Sequence, residues 1–222
     1  IFLHKKDTSA ALQHMFNTYL SAPSVAEGQT YLFSLLQHKS LKTHLRSLVK
    51  EKLLQYSEDE TLLRIQLSFC NEQNDSACII KTVNQLIQAF PDSSKYYYYK
   101  AQYLYQMADR GNPPHQVMYP LLKQAIALDS FNLEYYDAIC RSHMWKNPKV
   151  SRPYKKLAVK MMEKKAFREG STGLDWYELG LAYDLPSNGY GANGHLYDEM
   201  IIAYDSAIKL GFDSLKVIKE SR

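Results

Sequence analysis

Trp176-Tyr177-Glu178-Leu179-Gly180-Leu181-Ala182-Tyr183, followed by Tyr197-Asp198-Glu199-Met200-Ile201-Ile202-Ala203-Tyr204-Asp205-Ser206-Ala207-Ile208-Lys209-Leu210, decides the fold. Trp176, Leu179 and Tyr183 recur at i, i+3 and i+7, which is one stripe of a helix. Gly180 and Ala182 carry little or no side chain, so a second helix can approach the first closely. Ala207 offers the same close approach from the second segment. Gly211 follows directly and ends it. The text therefore reads as two amphipathic helices folded back on each other.

Working upstream, the same unit recurs. Hairpins close at Pro91, Ser130, Gly170 and Gly211, separated by 39, 40 and 41 residues. One hairpin of this size cannot bury its apolar face alone, so such a rhythm implies stacked helix pairs. Apolar periodicity predicts helices over 41–55, 60–71, 76–90, 94–110, 115–128, 132–144, 153–168, 174–184 and 195–210. Earlier, residues 12–20 and 31–38 also carry helical spacing. The sparse glycines (9) and prolines (8) fall mainly between these segments.

The 174–211 unit resembles the tetratricopeptide repeat. Trp176, Leu179, Gly180 and Tyr183 match the signature of that family's first helix, and Tyr204 and Ala207 match its second. Met200 stands where the family usually has alanine. The link Leu185–Gly194 is longer than a tetratricopeptide turn, and its glycines look more like the Sel1 variant. The unit at 94–130 matches through Gln124-Ala125-Ile126-Ala127-Leu128-Asp129-Ser130, whereas 60–93 and 132–170 match by period only. The resemblance implies an all-α fold: a right-handed superhelical solenoid of antiparallel helix pairs. Residues 1–58 are then diverged hairpins or a cap, 59–212 the repeats, and 213–222 a short capping helix or tail. It also implies a concave groove lined by first helices, where a peptide or protein segment binds.

Composition narrows the function. Hydrophobic residues make up 45% and charged residues 23%, values of a globular chain. Net charge is only +4, so any electrostatic role must be local. No apolar run is long enough to span a membrane. Ile1-Phe2-Leu3-His4-Lys5-Lys6-Asp7 is not ordered like a signal peptide, its charges following its apolar residues. A cytoplasmic location is one expectation, and a periplasmic or secreted one the other if a targeting segment was removed upstream of Ile1. The three cysteines, Cys70, Cys78 and Cys140, argue against a disulfide framework, although Cys70 and Cys78 could meet across a helix turnaround. Asn74-Asp75-Ser76 matches a glycosylation sequon, a triplet common by chance.

Catalytic motifs are not found. The seven histidines form no zinc pair, and there is no serine elbow or phosphate loop. Cys140 and His143 share a helix, a poor setting for a nucleophile pair without a third group. Gly189-x-Gly191-x-x-Gly194 fits the dinucleotide fingerprint in letters only, since no strand precedes it. Accordingly no catalytic residue, cofactor or metal is expected.

Two features point to a partner. The chain has 18 tyrosines, and Tyr96-Tyr97-Tyr98-Tyr99, Tyr103 and Tyr105 surround a single helix. Tyr96, Tyr99 and Tyr103 share one face and Tyr98 and Tyr105 another; one face should pack and the other should meet a ligand. With Arg141 and Tyr177, the first face is the expected binding surface. The second feature is a basic run from Arg141 to Arg168, opposed only by Glu163. Within it Lys156, Lys160 and Lys164 form a ridge at i, i+4 over an apolar face of Leu157, Ala158, Met161, Met162 and Lys165. Such a ridge suits an acidic protein segment, with RNA or an anionic membrane less favoured because no base-stacking platform accompanies it. The expected function is a non-catalytic protein-binding scaffold or adaptor. Its alternatives are a structural subunit joined by its ends, a substrate-recognition domain of a larger enzyme, and an RNA-binding helical repeat.

Overall fold

The structure, a computed structural model, describes residues 39–108, 115–143, 148–186 and 197–213, with a few positions between 10 and 18. The expectations for 31–38, for the link at 187–194 with its glycine triplet, and for most of the tail after 213 lie outside these residues. Among the described residues nine helices are ordered along the chain: α1 Lys39–Leu53, α2 Glu60–Glu72, α3 Ser76–Ala89, α4 Ser94–Met107, α5 His115–Leu128, α6 Leu133–His143, α7 Pro148–Ala166, α8 Gly173–Asp184 and α9 Tyr197–Lys209. The fold is all-α, and packing is mostly between helices adjacent in sequence. Two compact units are present, Ile1–Pro91 and Asp92–Arg222.

In the first unit α2 packs against both α1 and α3. Its core holds Leu45, Val49, Leu62, Leu63, Ile65, Val83 and Leu86. The α2–α3 turn is built from local hydrogen bonds. Asn74 adopts a left-handed conformation at φ 52°. The Asp75 N–H donates to the Cys70 carbonyl and the Asn74 N–H to that of Asn71, both at 3.0 Å, which is the Schellman closure of a helix. The Asp75 carboxylate then caps α3 by accepting from the Cys78 N–H at 3.0 Å. This tight reversal leaves Cys70 and Cys78 with Cα atoms 5.6 Å apart and joined by a disulfide. The meeting of Cys70 and Cys78 across a helix turnaround, which the sequence left open, is formed here as a single bridge, because one capping aspartate between two helix ends brings the thiols together.

In the second unit α4 through α9 pack in succession. Two tyrosine pairs also bridge helices that are not neighbours in sequence. Tyr98 of α4 lies 5.0 Å from Tyr135 of α6, ring centre to ring centre, and the Ser94 hydroxyl is 3.0 Å from the Tyr135 hydroxyl. Tyr119 of α5 meets Tyr154 of α7 edge to face at 5.8 Å, with Tyr119 donating its O–H across 3.2 Å. Helix α4 thus touches α6, and α5 touches α7.

Gly211, one of the expected hairpin closers, has φ +85°, and the Phe212 N–H reaches back to the Ala207 carbonyl at 3.0 Å. This is again a Schellman closure, and it needs a residue without a Cβ penalty. Helix α7 begins five residues earlier than the pattern predicts, because Pro148 can open a helix where its missing N–H has no partner in any case. Pro153 and Pro120 each fall at the sixth residue of α7 and α5. There each removes the hydrogen bond its nitrogen would give to the carbonyl four residues back.

The α7 face also differs from expectation. Its buried stripe is Ser151, Lys155, Ala158, Met162 and Ala166, whereas Leu157 is partly exposed. Moving the helix start to Pro148 does not alter these periods; the core has accepted the aliphatic stem of Lys155 in place of Leu157.

Candidate functional site

A groove of about 750 Å³ opens between α6 and α8, with Lys165 of α7 on its border. Its α6 wall carries Glu134, Asp137 and Arg141, spaced by three and four residues along one face. The α8 wall carries Leu174, Tyr177, Glu178, Leu181 and Asp184 at the same helical spacing. Thus one face of α6 and one face of α8 line a single concavity.

Helix α8 is positioned by its ends. Thr172 and Asp175 form a reciprocal capping box. Asp175 is almost wholly buried, and its carboxylate accepts from the Thr172 N–H at 2.7 Å and the Thr172 hydroxyl at 2.9 Å. Lys165 lies 3.4 Å from Asp175 and also binds Glu178. Burial alone would raise the pKa of Asp175; the Thr172 N–H and hydroxyl and the Lys165 ammonium outweigh it and hold the carboxyl below its ordinary value. Burial likewise works against the charge on Lys165, but Glu178 and Asp175 reverse that and raise its pKa. The contact between α8 and α9 is set by Gly180, which faces the Tyr204 ring. Tyr177 stacks on Phe212 with ring centres 4.4 Å apart.

The expected partner residues separate into distinct places. Arg141 and Tyr177 do line the groove. Tyr96 is fully buried, so its ring is core and is not presented to a ligand. Tyr99 is partly exposed and Tyr103 half-buried, and neither reaches the groove. Tyr98 and Tyr105, on the other face, line a second cavity of about 210 Å³ beside α5 and α6. Four consecutive tyrosines have no apolar period, so the helix could not be phased from sequence. Lys156, Lys160 and Lys164 are exposed in a row as expected, but none of them borders the groove.

Sequence reasoning missed most of the acidic lining: Asp129, Glu134 and Asp137. The Asp137–Arg141 spacing was the available signal. Arg141 donates through Nε to both Asp137 oxygens at 2.7 and 2.8 Å.

No group of three or more metal-ligating side chains occurs among the described residues, and no described helix is long and apolar enough to cross a membrane. Cys140 is buried; burial pushes its thiol up to about 12, the opposite of an activated nucleophile. No family model matches the chain, and no curated protein matches it.

Proposed function

We propose that the chain is a non-catalytic protein-interaction module of tetratricopeptide or Sel1 type, holding a peptide or protein segment in the groove between α6 and α8. The observation that carries this reading is that the groove is walled by the first helices of two successive hairpins, the face that a repeat solenoid turns inward. The pairing of Tyr98 with Tyr135 and of Tyr119 with Tyr154 supports stacking of like on like. The contact of Gly180 with Tyr204 supports the repeat assignment, since these are the small and aromatic positions of its two helices. The Cys70–Cys78 bond supports an oxidising compartment, where such bonds persist.

The test is selection of peptides from a random displayed library on the full chain. Binding should be lost on Phe131→Ser and Leu174→Ser, two partly exposed groove residues. It should survive replacement of Lys156, Lys160 and Lys164 by glutamine. A library that yields only peptides indifferent to Phe131 and Leu174 would remove the groove from consideration.

A further inference from the structure

We infer that the groove between α6 and α8 selects a basic segment that carries apolar side chains. The inference rests on reading that groove as the partner-binding surface and adds the chemistry of the partner.

The lining holds five carboxylates and two cations. Both cations are already neutralised by the protein itself. Arg141 is clamped to the two oxygens of Asp137, and Lys165 is shared by Glu178 and Asp175. Each of these cations is thus matched by a carboxylate of the same lining, Asp137 or Glu178, while Asp129 and Glu134 remain as the excess over those pairs. In a concave site bounded by low-dielectric walls, such an excess focuses a negative potential. It attracts lysine and arginine and repels a segment rich in aspartate or glutamate.

The apolar half of the recognition is equally visible. Phe131 and Leu174 are 46% and 49% exposed at the groove, and Leu181 and Tyr177 continue the surface inward. Apolar anchors in such a lining provide affinity, and the carboxylates provide register and steering. The volume lies within the range of about 300–1,000 Å³ typical of ligand sites. An acidic partner, expected from the lysine ridge, would find its counterpart on another surface of α7 and would meet like charge here.

The experiment uses the full chain and three short fluorescein-labelled peptides: an alternating Lys-Leu peptide, the matching Glu-Leu peptide, and a Lys-Ser peptide. Fluorescence anisotropy reads binding at low salt and again where the screening length falls below about 10 Å. The Lys-Leu peptide should bind, weaken as salt rises, and exceed both others by about tenfold or more. Glu134→Lys should weaken it about threefold to tenfold, with an unchanged circular dichroism spectrum. Glu134 is the residue of choice because Asp184 is also felt by the buried Lys155 ammonium. Neutralising Lys156, Lys160 and Lys164 should leave this affinity in place.

Failure of the Lys-Leu peptide to bind, equal or tighter binding of the Glu-Leu peptide, or indifference to Glu134→Lys overturns the inference. The two readings fail differently. If the Glu-Leu peptide binds and Leu174→Ser abolishes it, the groove stands and the charge preference falls. If no peptide responds to Phe131→Ser or Leu174→Ser, both fall.

Discussion

Gly180 on α8 faces the ring of Tyr204 on α9 so closely that a Cβ at Gly180 would lie inside 3.0 Å of three ring atoms. Both residues are buried, and no flexible tip is available to move aside. In an exposed helix, glycine to alanine would gain about 1 kcal/mol. Here overpacking opposes that gain and is the larger effect, at about 1–3 kcal/mol. Gly180→Ala should therefore lower the urea midpoint. A raised midpoint would show that α8 and α9 are not in this contact.

The disulfide of Cys70 and Cys78 closes a loop of sequence separation 8. Loop-closure entropy for a ring this short is worth roughly 2–3 kcal/mol. Cys70→Ala with Cys78→Ala should cost about that much, read by denaturant titration. Mass spectrometry after alkylation in denaturant should find one label without reductant and three with it; three labels in both cases would refute the pairing.

Asp175 predicts the acid limb of stability. Its folded pKa lies below the ordinary carboxylate value, so its contribution is complete above about pH 4 and is lost as pH falls through the folded pKa. Asp175→Asn should flatten this dependence. Thr172→Ala removes one side of the capping box and should cost about 1 kcal/mol. An unaltered acid limb in the asparagine variant would assign the acid sensitivity to other carboxylates.

Lys155 has the opposite sense. Its ammonium is buried and has no hydrogen-bond acceptor among the described residues, and burial lowers its pKa despite the nearby Asp184 charge. The unfolded chain then holds the proton more tightly, so stability rises with pH between the folded pKa and about 10.4. Lys155→Met should raise stability by roughly 1–3 kcal/mol and abolish that alkaline rise. A destabilised methionine variant would mean that the ammonium is solvated or paired.

Much of the helix pairing is readable in the letters because small and aromatic residues recur at helical spacing: Gly180 with Tyr204, and Gly211 at a left-handed closure. What could not be read was any choice made between helices. Tyr96 is core, and its neighbour Tyr98 reaches a cavity, although their side chains are identical. Lys155 lies inside while Leu157 is partly outside, against the hydropathy of both. The groove draws carboxylates from two hairpins about 40 residues apart, so no local window contains it. Only Arg141 and Tyr177 were identified in advance, and Arg141 proved to be engaged by Asp137.

With Cys70 and Cys78 bonded to each other, Cys140 is the chain's single thiol, and it lies in the core of the second unit, in the same apolar cluster as Ile139 and Met162. A thiol reagent applied to the native protein therefore reports one event. Its rate of incorporation clocks the opening of α6 and α7 while remaining blind to the first unit, giving the molecule a built-in stopwatch for half of its own breathing.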